Sequence, residues 1–190
     1  MSASATGAYA FLGGGHRTDV SADKFVEQFH AVETAMRTLG YSEEKIASSW
    51  AVIGAILELG NVQFVDVDTT EGVTASIPNM TECTIAAQLL QVNAESLVNM
   101  LTKRTIRTAG EVYTISLSAL DADHARNAFC KAIYSDMFSD IVSSINMSLG
   151  GDEAGGGTKV AGRNSIGVLD IFGFESFDRN ELQQLLINYA

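Results

Sequence analysis

The sequence predicts a mainly α fold with one short β-hairpin and one buried strand near its C-terminal end. Three observations carry that prediction. Apolar residues recur every three or four positions over most of the chain, there is a single proline, and the runs that favour extended backbone are few and short. Three regions follow: an irregular segment at 1–20, a helical region at 21–164, and a strand followed by the start of a helix at 165–190. The length, 190 residues with 46% hydrophobic content, is enough to enclose a sizeable core.

Residues 1–20 are small, polar and glycine-rich. From Asp23, the spacing of Phe25, Phe29, Val32, Met36 and Leu39 predicts an amphipathic helix stopped at Gly40. Ser42 has the position of an N-cap for a second helix, with Glu43 and Glu44 in the first turn, where the helix dipole favours acids. Ile46, Trp50, Ile53 and Leu57 mark its expected inner face and Gly60 its end. "NVQFVDV" has strand character, and Asp68 to Met80, which holds the proline, reads as an exposed loop.

Helices are expected near 82–91 and 94–101, followed by a hairpin over "TIRTAGEVYTIS" that turns at Gly110. The longest helix runs from Ser118 to Leu149. Ser118 and Asp121 stand at capping-box spacing, and Ala125, Phe129, Ile133, Met137, Ile141, Ile145 and Leu149 form one stripe. The glycine-rich run 150–165 reads as a connection. Ile166 to Ile171 is a strand, and a last helix starts near Asn180, with Gln183 at the reciprocal capping position and Leu182, Leu185, Leu186 and Tyr189 on its apolar face. That helix has no stop signal before Ala190, the pattern expected of a longer protein.

Charge and cysteine usage exclude several function classes. A formal net charge of -11 disfavours nucleic acid, whose phosphates require concentrated Lys and Arg. Cys83 and Cys130 lack metal-ligand spacing and read as reduced core thiols, which fits an intracellular protein. His16, His30 and His124 are isolated and read as solvated or capping residues. No signal peptide and no membrane span is expected, since the least polar stretch, Ile46 to Leu57, is too short to cross a bilayer. No lysine directly follows a glycine, so G-x-x-x-x-G-K-[ST], the phosphate-cradling loop, does not occur.

"GVLDIFGFESF", residues 167–177, carries the chemistry. An acid at the carboxyl end of a buried strand can hold magnesium, directly or through a water, in nucleotide-binding α/β proteins. Asp170 has that position, and the Gly173 amide could bond a terminal phosphate oxygen, glycine allowing close approach and a peptide flip. Glu175 could lock the turn through an ion pair to a basic residue elsewhere. D-x-x-G alone also describes an ordinary strand-to-turn sequence in which Asp170 caps a turn, with Phe172, Phe174 and Phe177 as core.

The whole phrase "GVLDIFGFESFDRNELQQLLINYA" resembles the switch II segment and the start of the relay helix of the myosin motor domain. Upstream, "AMRTLGYSEEKIASSWAVIGAILELGNVQF" and "LTKRTIRTAGEVYTISLSALDADHARNAFCKAIYSDMFSDIVSSIN" resemble that family's preceding segments, in the same order. The resemblance runs from about Tyr9 to Ala190. It implies a partial piece of the family's α/β P-loop NTPase fold, namely much of the upper 50-kDa subdomain through switch II.

By the same resemblance, Asp170 belongs to the magnesium shell, Gly173 donates its amide to the γ-phosphate of ATP, and Glu175 pairs with an arginine of switch I. The hairpin containing Arg107, Thr108, Gly110 and Glu111 resembles the cardiomyopathy loop, an edge of the surface that meets the actin filament. Asp66 to Met80 falls at variable loop 4, a second actin-facing candidate. Glu181, Leu182 and Gln183 depart from the family's usual Ser-Phe-Glu.

The resemblance implies an ATP-dependent, actin-based cytoskeletal motor as the parent protein. Its P-loop and switch I would lie before residue 1, and the rest of the heavy chain beyond Ala190. The 190 residues alone are expected to lack ATPase activity and to leave apolar surface uncovered. The alternative is a non-enzymatic myosin-like module that binds actin or another protein through the hairpin.

Overall fold

The computed structural model describes residues 9–12, 22–70, 72–108, 110–148, 173–177 and 180–189. These are mostly helical, with two small antiparallel sheets of two strands each. The chain divides into two units, Met1–Gly155 and Gly156–Ala190. The expected strand 166–171, the glycine-rich run 150–165, Leu149, His16, Asp170 and Phe172 lie outside the described residues.

In the first unit, helix α1 (Ala22–Thr38) ends as its sequence dictates. Gly40 takes a φ of +85°, and the Tyr41 amide donates back to the Met36 carbonyl at 3.1 Å while the Gly40 amide donates to Arg37. This closing pattern brings the side chains of Met36 and Tyr41 together in a small core with Ile46. Phe25, Phe29 and Val32, on the predicted inner face, are exposed.

Helix α2 (Glu43–Asn61) is capped by Ser42, whose hydroxyl accepts from the Lys45 amide at 3.2 Å. Glu43 forms a bidentate pair with the Arg37 guanidinium, at 2.6 and 2.9 Å. Its carboxyl is held below the usual range by those hydrogen bonds. Of the predicted face of α2, Ile46 is buried while Trp50, Ile53 and Leu57 are half-buried; the deepest positions are Ala55 and Leu59, with Val62 just past the helix end. The reason is that α2 is apolar nearly all round and packs between two later helices, so periodicity alone does not single out one face. The helix runs through Gly60 rather than stopping there, and a Cβ at Gly60 would lie 2.7 Å from the Phe11 ring. Phe11 belongs to a single 3-10 turn, Ala10–Leu12, anchored where the Asn61 carboxamide accepts from the Ala10 amide at 2.8 Å.

The loop expected over 68–80 is corrected by the structure. Strands β1 (Val65–Thr69) and β2 (Gly72–Ser76) pair as a hairpin, with Val67 opposite Thr74 and Thr69 opposite Gly72. Ala75 and Ile77 are buried, and Met80 already starts a helix. The polar sequence hid this strand because only its last residues reach the core, while its pairing is made by backbone groups that any side chain leaves available.

Helices α3 (Met80–Leu89) and α4 (Ala94–Thr102) follow, the latter capped by Asn93 accepting from the Ser96 amide at 2.9 Å. The predicted hairpin is present as β3 (Lys103–Thr108) and β4 (Glu111–Ser116). Leu117 ties both hairpins together: its amide donates to the Thr102 carbonyl at 2.8 Å, and its carbonyl accepts from the Ala75 amide at 2.7 Å.

Helix α5 (Ala119–Ser148) is doubly capped. The Ser118 hydroxyl accepts from the Asp121 amide at 3.1 Å, and the Asp66 carboxylate accepts from the Ala119 amide at 2.7 Å. Its buried line is Ala122, Arg126 and Cys130, and the predicted stripe Ala125 to Ile145 lies half-buried beside it. The main core joins α2, α3, α4 and α5 through Leu59, Val62, Cys83, Ala86, Leu101 and Cys130. Both cysteines are free and buried, as expected, and burial pushes each thiol's pKa up. His30 lies beside Glu33 at 3.7 Å on the exposed side of α1.

In the second unit, residues 173–177 are irregular and helix α6 spans Leu182–Tyr189. The expected cap is corrected here. Asn180 turns its carboxamide onto the Phe177 backbone, and the helix opens on the Glu181 carbonyl, which accepts from the Leu185 amide at 3.2 Å. Leu182, Leu185, Leu186 and Tyr189 are exposed.

Candidate functional site

The predicted site residues fall in both units, Gly173 and Glu175 in the second and the hairpin residues in the first. Asp170, the expected magnesium ligand, lies outside the described residues. Gly173 is exposed, and no described atom lies within 4 Å of where its Cβ would be. That clearance is what close approach of a ligand to the backbone requires.

Glu175 is partly buried against α6. Its amide donates to Asn188 Oδ1 at 2.9 Å, and its carbonyl accepts from Asn188 Nδ2 at 2.7 Å. One turn earlier on the same helix face, Gln184 Nε2 donates to Glu175 Oε2 at 3.3 Å and to Asn188 Oδ1 at 3.5 Å. Asn180 makes a similar two-way pairing with Phe177: the Phe177 amide donates to Asn180 Oδ1 at 3.0 Å, and Asn180 Nδ2 donates to the Phe177 carbonyl. Side-chain amides therefore supply the backbone partners that 173–177, being neither helix nor strand, does not find in a ladder. A cavity of about 390 Å³ opens among Phe174, Glu175, Leu182, Gln184 and Asn188.

Chemically, the Glu175 carboxylate meets a neutral donor at the long end of the hydrogen-bond range. A carboxylate has about four acceptor positions, so this one retains capacity for a cation. Among the described residues no group of His, Cys, Asp and Glu is arranged to hold a metal ion. Sequence reasoning missed Asn188 and Gln184. Their i, i+4 spacing, which puts the two carboxamides of Gln184 and Asn188 one turn apart on the same helix face, was the available signal.

The first unit holds the other surface, the β3–β4 hairpin. Thr108 pairs with Glu111 across the turn, Arg107 with Val112, and Gly110 takes a φ of +88°. Cross-strand partners share a face, so Thr108 and Glu111 lie on one face with Ile106 and Tyr113, and Arg107 on the other. Val112, Tyr113 and Ile115 are exposed. The Tyr113 hydroxyl donates to the Glu111 carboxylate, and that bond raises the phenol's pKa. Strand β3 carries Lys103, Arg104 and Arg107, whereas the β1–β2 hairpin carries Asp66 and Asp68. Asp66 is already engaged at the start of α5. Among the described residues no helix is long and apolar enough to cross a membrane.

Comparison with known proteins gives a consistent picture. The sequence pattern of one family, described as "Myosin head (motor domain)", matches residues 1–190. The chain is 36% identical over 185 residues to unconventional myosin ID of Drosophila melanogaster, covering 97% of this chain and 17% of that protein. It is 36% identical over 177 residues to myosin-1 of Coccidioides immitis (strain RS), covering 90% of this chain and 13% of the relative. Against human unconventional myosin-Id it is 36% identical over 164 residues, covering 86% and 16% respectively. The chain thus spans between 13% and 17% of the length of these curated relatives.

Proposed function

The chain belongs to the myosin head (motor domain) family, and from that premise we propose that it supplies switch II, the start of the relay helix and part of the actin-facing surface of an ATP-dependent cytoskeletal motor. The observation that carries this reading is the family match across residues 1–190. In this reading residues 21–164 are the upper 50-kDa-like region, and 165–190 carry switch II and the relay start. Asp170 joins the magnesium shell, directly or through a water. Gly173 offers its amide to the terminal phosphate, and Glu175 closes the site through an arginine from another segment of the head.

The open space at Gly173 and the spare acceptor capacity of Glu175 fit those roles. One acid, one amide and one latch are a fraction of what a magnesium–nucleotide site needs, so the remaining donors come from elsewhere in the head. ATP and magnesium supply the phosphoryl-transfer chemistry when bound. What these residues contribute is orientation of the terminal phosphate and exclusion of bulk water. The motor's setting is the cytoplasmic actin cytoskeleton.

The sequence contains no G-x-x-x-x-G-K-[ST], so the 190-residue chain by itself is proposed not to hydrolyse ATP. The expected result is magnesium-dependent turnover no greater than buffer. Turnover that Asp170→Ala abolishes would overturn that proposal. Extending the reading frame upstream tests the parent motor: a P-loop followed by an Asn-, Ser- and Arg-rich switch supports it, and a stop codon before Met1 with intact transcripts of this length overturns it.

A second reading, a non-enzymatic module that binds actin, is favoured by the exposed β3–β4 hairpin and its basic strand. Co-sedimentation with actin at low salt, weakened by Arg107→Glu, is its expected outcome. No binding at low salt sinks it.

A further inference from the structure

We propose that the groove between α2, α5 and the 10–12 turn is a binding site for an extended apolar monocarboxylate, the class to which medium-chain fatty acids belong. The site lies wholly in the first unit and is independent of the reading of residues 173–177. It is a cavity of about 630 Å³ walled by Phe11, Ile56, Tyr134 and Phe138, with Cys130 buried at its floor. That volume falls within the range of about 300–1,000 Å³ over which small-molecule sites occur. Burial raises the pKa of the Cys130 thiol, so the floor is uncharged at neutral pH.

The wall that α5 supplies divides into two rows. Cys130, Tyr134 and Phe138 stand four residues apart and form an apolar row, and Asn127, Lys131 and Ser135, also four apart, form a polar row beside it. From Asn127 to Phe138 the two rows extend about 16 Å along the helix, at a rise of ~1.5 Å per residue. A ligand laid along α5 therefore meets apolar side chains on one flank and polar ones on the other. That length favours an extended chain over a compact ring.

Charge selects the head group. No acid lines the cavity, and Lys131 makes no hydrogen bond or ion pair among the described residues. Its neighbours three and four residues away on α5, namely Asn127, Ala128, Tyr134 and Ser135, are all uncharged. The Arg126 guanidinium, 5.6 Å from the Phe11 ring, is already engaged by Val62, Asp123 and Asn127. Lys131 is thus the cation available at the cavity. A carboxylate seated on it, with its chain over Tyr134 and Phe138, is complementary to both rows, whereas an ammonium head would meet like charge.

The test is titration of the 190-residue chain with decanoate, below its micelle concentration, followed by calorimetry and NMR shifts. Decyltrimethylammonium serves as the cationic counterpart. Decanoate is expected to bind once per chain and to shift the amides of Ile56 and of residues 130–138. The formal net charge of -11 attracts the cationic amphiphile and repels decanoate, so tighter binding of decanoate isolates the local contact with Lys131. Lys131→Met keeps an apolar stem and is expected to weaken decanoate about tenfold, the loss of one charge-assisted contact. Phe138→Ser is expected to weaken both amphiphiles. Lys131 and Phe138 are both exposed, so neither change disturbs the core.

Equal decanoate affinity in wild type and Lys131→Met overturns the site, as does tighter binding of the cationic amphiphile. Shifts centred on the exposed Phe25 and Phe29 of α1 overturn it too. A whole myosin head carrying these residues is expected to bind decanoate with similar affinity. Binding to the 190-residue chain with none to the whole head would give the groove to another segment of the head and overturn the ligand site.

Discussion

Arg126 donates a hydrogen bond from its guanidinium to the carbonyl oxygen of Val62 at 2.6 Å, joining the first third of the longest helix to the end of α2. The guanidinium is almost wholly buried. It also donates to Asp123 at 2.5 Å and to Asn127, and the Phe11 and Phe64 rings flank it at 5.6 and 5.8 Å. One charged group thus supplies a donor to the Val62 carbonyl just past the end of α2, where the preceding Asn61 carbonyl accepts from Asn79 Nδ2 at 2.9 Å.

Arg126→Ala is expected to destabilise the chain by about 2–4 kcal/mol, because it strips the buried Val62 carbonyl of a charge-assisted donor and removes the packing of the side-chain stem. Arg126→Lys should recover only part of that, since an ammonium cannot reach Val62, Asp123 and Asn127 with one planar fork. Urea unfolding of the three proteins, compared at constant m, checks the order.

Gly60 and Phe11 should show strong coupling. A Cβ on Gly60 would stand 2.7 Å from the Phe11 ring, so Gly60→Ala must displace the 9–12 turn. Glycine in a helix interior costs about 1 kcal/mol relative to alanine. In a Phe11→Ala background the same change is therefore expected to stabilise α2 by roughly that amount. A double-mutant cycle with no interaction energy would show that the ring does not occupy this site in solution.

The start of α5 carries caps on different amides: Asp66 on Ala119 and Ser118 on Asp121. Asp66→Ala and Ser118→Ala are each expected to cost about 1 kcal/mol, close to additively because no donor is shared. Asp66→Ala should also loosen the β1–β2 hairpin, seen as faster amide exchange at the Val67–Thr74 pair, whereas Ser118→Ala should not.

Burial raises the pKa of Cys83 and Cys130, so the folded state keeps these protons after the unfolded chain has lost them. The sign follows from linkage. Their contribution is fully present below pH 9.0, the ordinary thiol value, and declines as pH climbs through the raised folded values. Stability measured by urea unfolding is expected to fall above that pH, and less steeply in Cys83→Ala, once the cavity cost of that change is subtracted at neutral pH. At neutral pH both thiols should react with a soluble disulfide reagent only as fast as the chain opens.

The candidate site was only partly legible in the sequence. The acid–glycine–acid spacing of Asp170, Gly173 and Glu175 and its family resemblance could be read directly, because they depend on residues adjacent in the chain. The two-way pairing of Asn188 with the Glu175 backbone could not. It needs Asn188, thirteen residues beyond Glu175, and its geometry follows from how the 173–177 turn folds back on α6. The hairpin and the place of its turn were legible from Gly110, which takes a positive φ there. The register then decided that Arg107 and Glu111 face opposite ways.

The sequence by itself determined where most of the helices lie, the family, and those caps that act locally. Ser42, Asn93 and Ser118 act on amides within three residues, and Gly40 closes α1 through bonds that its own neighbours supply. Only the tertiary structure decided which side of the apolar middle of α2 is deepest, that a polar stretch pairs as β2, and that Asp66 and Arg126 serve helix ends far from them in sequence. The division has a physical cause. Capping and turn energies are set by atoms a few bonds apart, whereas burial and long-range hydrogen bonding depend on which distant segments come to lie side by side.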